Sequence, residues 1–284
     1  MLLSELLTRG SELLRQAGIE SAEVDAQLLA AHVLGISRGE LQSKLFTNDE
    51  LSEELSKSIT DIIRKRSERI PVQHLTGIAY FRNLELFVGP GVFVPRPETE
   101  IVAQFAITAL KEIPNEPIAV DLCTGSGAIA ISMATEVPNS KVYAWELNPE
   151  SEPWLRKNTR GNVELVMADI AADHKLFSEL EGVVDVVISN PPYIPNDAVP
   201  RDPEVRLHDP SLALYGGADG MDIMRVVSRR ALQLLKPGGL LVVEHADNQA
   251  QIVADLFIAD GWKEIESHQD LSSRDRAVTA RKAV

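Results

Sequence analysis

The sequence predicts an α/β protein: a seven-stranded, mostly parallel sheet with helices on both faces, preceded by a small helical domain and a β-hairpin connector. Three observations predict it. From Glu98 onward, apolar runs of strand length alternate with stretches of helical spacing, the pattern of parallel strands joined by helical crossovers. The first ~70 residues show helical spacing and no strand alternation. Between the two, clustered turn residues separate three short apolar runs.

Leu6, Leu7, Leu13 and Leu14 recur at helical spacing, as do Leu28, Leu29, Ala31 and Val33-Leu34. Gly18 and Gly35 stand where helix C-termini close. Asn48-Asp49-Glu50 is read as opening the next helix, with Leu51, Leu55, Ile59 and Ile62-Ile63 on its apolar face. Ile70-Pro71 ends the last helix, so residues 1–70 form a helical domain of at least four short helices. Residues 71–97 carry Thr76-Gly77, Asn83, Gly89-Pro90-Gly91 and Pro95 between Tyr80-Phe81, Leu84-Leu86-Val88 and Val92-Phe93-Val94, hence the hairpin connector.

In residues 98–284 the expected strands are 118–122, 141–145, 163–167, 183–189, 239–243, 263–267 and 277–281. The expected helices are 98–113, 128–135, 220–235 and 249–260, and 192–220 reads as a long segment rich in loops. Loops of that length are uncommon unless they cover an active site.

The 284 residues are 44% hydrophobic and 25% charged, ordinary for a soluble globular chain. No apolar run reaches ~18 residues, so no membrane span is expected. The start, Met1-Leu2-Leu3-Ser4-Glu5, does not read as a signal peptide. The single Cys123 excludes an internal disulfide and suits a reducing cytoplasm. A formal net charge of −14 argues against holding long nucleic acid directly and favours a basic protein partner. His74, His208 and His245 form no metal spacing, so no metal is expected, and Trp145, Trp154 and Trp262 read as packing residues.

Two motifs carry chemistry. Asn190-Pro191-Pro192-Tyr193 follows the apolar run 183–189. Successive prolines cannot continue a strand, so a stiff turn projects Asn190 and Tyr193 at the carboxyl edge of the sheet, where open α/β sheets bind ligands. A planar –NH2 group is a poor nucleophile because its lone pair is delocalised. The Asn190 side-chain oxygen and the Pro191 carbonyl are two acceptors for its N–H bonds, with Tyr193 as an aromatic wall. The second motif, Asp121-Leu122-Cys123-Thr124-Gly125-Ser126-Gly127, follows the first strand and opens a helix. Its glycines allow close backbone approach to a ligand. Asp121, Glu146 and Asp169 close three successive strands. They suit a cationic group, a ribose diol and an adenine amino group, as in a sulfonium-bearing nucleoside, and they suit a pyrophosphate poorly.

With both sites in view, the chain resembles the class I S-adenosylmethionine-dependent methyltransferases, and more closely the release-factor glutamine N5-methyltransferases, the PrmC/HemK family. Pro71-Val72-Gln73-His74-Leu75-Thr76-Gly77 is similar to that family's connector, and Phe93-Val94-Pro95-Arg96-Pro97-Glu98-Thr99-Glu100 to its F-x-P-R-P-[DE]-T-E signature. The cofactor loop, Glu204-Val205, His208-Asp209-Pro210, the stretch 213–220, Pro237-Gly238-Gly239 and Asp275-Arg276 follow the family's order. Two departures are visible: Glu244-His245-Ala246 where relatives often carry Glu-x-Gly, and Ile170 where many carry an aromatic residue to cover the adenine.

The resemblance implies a Rossmann-like catalytic domain that binds S-adenosyl-L-methionine and releases S-adenosyl-L-homocysteine. It implies cofactor contacts from Asp121, Cys123, Thr124, Gly125, Ser126, Gly127, Glu146, Asp169, Ile170 and Asn190. It assigns catalysis to Asn190, Pro191 and Tyr193, and substrate binding to these with Pro192 and Arg96. The implied substrate is the glutamine of the Gly-Gly-Gln loop in class I peptide chain release factors, for a cytoplasmic monomer whose helical domain recognises the protein substrate. Arg96-Pro97-Glu98 separates this branch from the ribosomal-protein glutamine methyltransferases, which tend to read Arg-Ser-Pro. The rival readings are that ribosomal-protein activity, a nucleic-acid amino-methyltransferase acting on adenine N6 or guanine N2 by base flipping, and a catalytically idle cofactor-binding module.

Overall fold

The computed structural model describes residues 1–47 and 49–284. It divides into two compact units, one comprising Met1–Ile78 with Pro200–His208, the other Ala79–Val199 with Asp209–Val284.

The first unit is helical: α1 (Leu3–Gln16), α2 (Ala22–Leu34), α3 (Arg38–Thr47), α4 (Glu53–Ser67) and α5 (Val72–Thr76). Leu3, Leu14, Leu29, Leu41, Ile59 and Ile63 are fully buried in its core. Gly35 takes φ 65° at the end of α2, the left-handed turn that a side chain would strain. The helix expected from Asn48-Asp49-Glu50 begins later. Ser52 caps α4 by accepting the Leu55 N–H at 3.2 Å, and Asn48 lies outside the described residues. Pro71 ends no helical region: it precedes α5, because a fixed φ with no N–H to satisfy suits a helix start.

Buried charge ties this unit together. Arg66 donates from Nε to Asp25 at 2.7 Å and from Nη1 to Glu204 at 2.7 Å, and Arg69 donates to the other Glu204 oxygen at 2.5 Å. Segment 200–208 thus belongs to the helical unit through an ion pair that spans 138 positions of sequence.

The hairpin is β1 (Ile78–Phe81) with β2 (Leu84–Phe87). Val92-Phe93-Val94 is not a third strand; Val92 and Val94 are buried in a small cluster with Ala79, Val88 and Trp154. There follow α6 (Thr99–Lys111), β3 (Ile118–Leu122), α7 (Ala128–Glu136), β4 (Lys141–Glu146), α8 (Glu152–Asn158), β5 (Val163–Met167), α9 (Lys175–Glu179) and β6 (Val184–Ser189). The chain continues through α10 (Pro203–His208), α11 (Ser211–Leu214), α12 (Asp222–Leu234), β7 (Leu235–Glu244), α13 (Ala250–Asp260), β8 (Lys263–Gln269) and β9 (Asp275–Arg281). The segment expected to be mostly loop, 192–220, therefore holds two short helices. Spacing does not betray helices of six and four residues, which are less than two turns long.

The seven strands lie in the order β5-β4-β3-β6-β7-β9-β8, with β9 antiparallel to both of its neighbours. Alternate residues feed opposite faces, as a strand's period of two requires. Val120, Leu122 and Val187 join one apolar cluster with Phe177 and Met224, while Ala119, Val186 and Ile188 join the other with Ile107 and Met133. Trp145 stacks on Phe177 at 4.5 Å, and Trp262 donates to Ser228 at 2.9 Å, so both serve packing. The chain winds outward from β3 to β5 and then returns to β6 beside β3. That reversal opens a crevice at the carboxyl ends of β3 and β6, with Leu122 in register with Ser189. No described helix is long and apolar enough to cross a membrane.

Candidate active site

Asp121, one residue before the end of β3, is wholly buried. Its Oδ2 accepts the Thr124 hydroxyl at 2.5 Å and the Ala130 N–H at 3.1 Å, while Oδ1 has no hydrogen-bond partner. Burial, opposed by those two bonds, pushes its pKa up to about 7. A wholly buried carboxylate with one oxygen left unpartnered and no cation beside it is unusual in a folded chain.

The glycine loop turns over this carboxylate. Gly125 has φ 58°, and a Cβ there would meet nothing within 4 Å, so the loop is open on that side. Gly127 has φ 85°, and a Cβ there would lie 2.8 Å from both Ile131 and Leu155, so only glycine lets α7 start here. Ser126 is buried, and its carbonyl accepts from Asn158 at 3.0 Å. Cys123 has φ 64°, and burial raises its thiol pKa, which leaves it neutral and unreactive.

Glu146 closes β4 on the same edge. Its Oε2 accepts the Gly125 N–H at 2.7 Å, and Oε1 accepts those of Leu147 and Asn148 at 2.9 and 2.7 Å. Burial raises its pKa against those three bonds. The residue therefore also braces the glycine loop, a contact 21 positions away that the motif does not reveal. Asp169, after β5, is exposed and accepts the Ala171 N–H at 2.8 Å. The Ile170 side chain lies in the apolar cluster that contains Val120 and Trp145.

At the end of β6, Pro191 and Pro192 are buried, whereas Asn190 and Tyr193 are half-buried. Asn190 directs Nδ2 to the Thr99 hydroxyl at 3.4 Å, which leaves its oxygen to accept. The Tyr193 carbonyl accepts from Gln249 at 2.9 Å, and Ile194 bonds the ends of the returning segment at Leu214 and Gly216, each at 2.9 Å. These bonds fix the turn from both sides. Burial raises the Tyr193 phenol above its ordinary value, so it stays neutral.

Sequence reasoning gave no role to two groups beside the turn. Glu244, the last residue of β7, is buried, and its Oε2 has no hydrogen-bond partner. Thr99, buried on the first turn of α6, accepts from Asn190 Nδ2 at 3.4 Å. The signature 93–100 was the available signal for Thr99. Arg96 is not an open charge: it donates to Asp209 at 2.6 Å and lies 4.9 Å above the Phe93 ring.

Asp121, Glu146 and Asn190 thus stand at or just past the carboxyl ends of three neighbouring parallel strands, β3, β4 and β6. The family model described as PrmC N-terminal domain matches residues 5–77, and the methyltransferase small domain model matches residues 83–202. The chain is 46% identical to the release factor glutamine methyltransferase of Streptomyces coelicolor over 288 residues, covering 100% of this chain and 99% of that one. It is 42% identical to that of Bifidobacterium longum, over 99% of both chains. It is 41% identical to that of Mycobacterium tuberculosis, over 99% of this chain and 91% of the relative. Identity of this extent along nearly the whole of each chain shows that the protein belongs to the release factor glutamine methyltransferase family.

Proposed function

We propose that the protein methylates the side-chain amide nitrogen, N5, of the glutamine in the Gly-Gly-Gln motif of class I peptide chain release factors, with S-adenosyl-L-methionine as donor. The observation that carries this reading is the Asn190 side chain. Its nitrogen is spent on Thr99 and its oxygen is left as an acceptor, at the crevice edge beside the glycine loop.

The crevice fits S-adenosyl-L-methionine. Asp121, with its free Oδ1, suits the cationic amino-acid end; Glu146 suits the ribose hydroxyls, and exposed Asp169 the adenine amino group. The open Gly125 turn gives the backbone close approach. Ile170 lies in the core cluster, so it can offer the adenine only an edge of an aliphatic surface. When bound, S-adenosyl-L-methionine supplies an electrophilic sulfonium methyl for one in-line displacement and leaves as S-adenosyl-L-homocysteine.

The protein's part is positioning and electrostatics. Asn190 Oδ1 and the Pro191 carbonyl accept the two amide N–H bonds. They hold the substrate nitrogen with its lone pair directed at the donor, while Tyr193 and Pro192 wall the substrate side. Arg96, paired with Asp209, acts by stiffening the loop that borders that side. The methylated, protonated amide is strongly acidic and loses its proton to water, so the transfer needs no dedicated base. In this reading the helical unit recognises the protein substrate, and the compartment is the cytoplasm, where release factors work.

Mass spectrometry of peptides tests the proposal, after incubation with a release factor, with ribosomal protein or with RNA. One added methyl on the Gly-Gly-Gln glutamine is the expected result. Methyl on a ribosomal-protein glutamine or on a purine amino group, with none on the release factor, overturns it.

A further inference from the structure

Arg230, near the end of α12, has no part in the site as described, yet most of its guanidinium edge is spent on the loop that carries Asp169. Nε donates to the Ile170 carbonyl at 2.7 Å, and Nη2 donates to the Ala172 and Ala171 carbonyls at 2.8 and 3.4 Å. Nη1 donates to Gln233 Oε1 at 2.8 Å. The guanidinium carbon lies 4.1 Å from the centroid of the Phe177 ring. Phe177 is itself 1% exposed and stacks on Trp145. The approach of Nη2 to Asp173, at 3.6 Å, involves a wholly exposed carboxylate and adds little.

The loop needs that hold. Residues 168–174 run between β5 and α9 without strand or helix. Asp169 builds a turn there: its carbonyl accepts the Ala172 N–H at 3.2 Å, and its Oδ1 accepts the Ala171 N–H at 2.8 Å, as aspartates do at the start of turns. The turn thereby satisfies N–H groups and leaves the carbonyls of Ile170, Ala171 and Ala172 in need of donors. A rigid fork of N–H groups suits several fixed acceptors at once, whereas a lysine ammonium on a flexible stem does not. With Oδ1 held inside the turn, the Asp169 carboxylate has one orientation, and Oδ2 is left to accept from a ligand.

We infer that Arg230 is a positioning residue for the nucleoside end of the cofactor: its guanidinium clamps the carbonyls of Ile170, Ala171 and Ala172, and so sets the turn that aims the Asp169 carboxylate at the adenine amino group. The adenine part of this rests on the cofactor proposed above; the clamp on the turn does not.

The composition of the loop makes that aim matter. Ile170, next to Asp169, sends its side chain into the core cluster with Val120 and Trp145, so no aromatic ring from this position covers the purine. Asp169 is exposed, and a carboxylate only accepts hydrogen bonds. It therefore tells a purine with a 6-amino group from one without it, provided that the turn holds it in place.

Two measurements on the full chain test the inference. In the ligand-free protein, 15N-alanine labelling reads the Ala171 and Ala172 backbone amides, assigned with Ala171→Gly and Ala172→Gly. Their exchange with solvent should be slowed in the wild type and faster by about tenfold in Arg230→Lys and Arg230→Met, which lack the fork. Calorimetry then compares S-adenosyl-L-homocysteine with its 6-deamino analogue, whose purine carries hydrogen in place of the amino group. The wild type should prefer the adenosyl compound by about tenfold or more, the scale of one hydrogen bond to a charged group. Arg230→Lys and Arg230→Met should lose most of that preference, as should Asp169→Ala. Adding Arg230→Met to Asp169→Ala should cost little further affinity, because the two act through one contact. A residue that served stability alone would lower the urea midpoint and leave the preference intact.

A wild-type preference in Arg230→Met, or alanine amides that exchange no faster there, overturns the inference. Equal binding of the two compounds by the wild type takes Asp169 off the base and overturns it too, while the cofactor stands. If the wild type binds neither compound, the cofactor reading fails and the alanine amides decide the clamp. If Arg230→Met does not fold, Arg230→Lys decides alone.

Discussion

The two units bury their charges in opposite ways. In the helical unit, Asp25 and Glu204 are buried against Arg66 and Arg69. Desolvation opposes ionisation of Glu204, but its hydrogen bonds with Asp202, Arg66 and Arg69 prevail and hold its pKa at about 2. At the carboxyl edge of the α/β sheet, Asp121, Glu146 and Glu244 are equally buried, but no salt bridge reaches them among the described residues. Their pKa values move up, those of Asp121 and Glu244 to about 7. The α/β unit does pair its buried acids elsewhere, Asp209 with Arg96 and Asp185 with Lys236. The contrast therefore separates acids held ionised by salt bridges with arginine or lysine from acids whose burial is met by no salt bridge and whose pKa values rise.

Four experiments would break or sharpen that contrast. Asn190→Ala should cut methyl transfer on the order of a thousandfold, as removal of a group aimed at the reacting centre does. Calorimetry should show S-adenosyl-L-methionine binding intact, and turnover within a few-fold of wild type would place the chemistry elsewhere. Arg66→Met strips the structural acids of their shared cation and leaves Asp25 buried and unpaired. Loss of one partner from a buried pair costs about 3–5 kcal/mol, which urea unfolding would read. A loss under about 1 kcal/mol would mean that the pairing is no more than a surface bridge.

Glu244→Gln tests the opposite class through pH. Unfolded, Glu244 titrates near its ordinary 4.5; folded, near 7. A raised folded pKa means that stability is fully present below about pH 4.5 and is lost as pH rises through 7. The variant does not titrate there, so raising the pH should shift the stability difference in its favour by up to about 3 kcal/mol. A pH-independent difference would mean that Glu244 is not held at a raised pKa. The smallest effect is expected at Glu146→Ala, which should weaken S-adenosyl-L-methionine binding by about 1–3 kcal/mol. An unchanged dissociation constant would leave Glu146 as a brace for Gly125 alone.

The sequence by itself determined whatever is encoded within a few residues. Alternating and continuous apolar runs placed the seven sheet strands to within a few residues, because side-chain direction in a strand repeats every two positions. The paired prolines after Ser189 marked the end of β6, since neither can donate to a sheet. The glycines after Leu122 marked the loop, since φ 58° and 85° are left-handed angles that favour glycine. The short helices α8 to α11 left no such trace, being only four to seven residues long.

Tertiary structure alone decided which of these pieces meet. That β6 returns beside β3 follows from crossover order, and no local pattern states it. Thr99 reaches Asn190 across 91 positions, Arg96 finds Asp209 across 113, and Arg66 finds Glu204 across 138. In sequence Glu244 and Glu204 are the same residue type, and only their folded surroundings made their pKa values part: desolvation dominates at Glu244 and raises it to about 7, whereas hydrogen bonds with Asp202, Arg66 and Arg69 hold Glu204 at about 2. Local propensity acts over a turn or a strand, whereas desolvation and charge pairing depend on distances that exist only once the chain has folded.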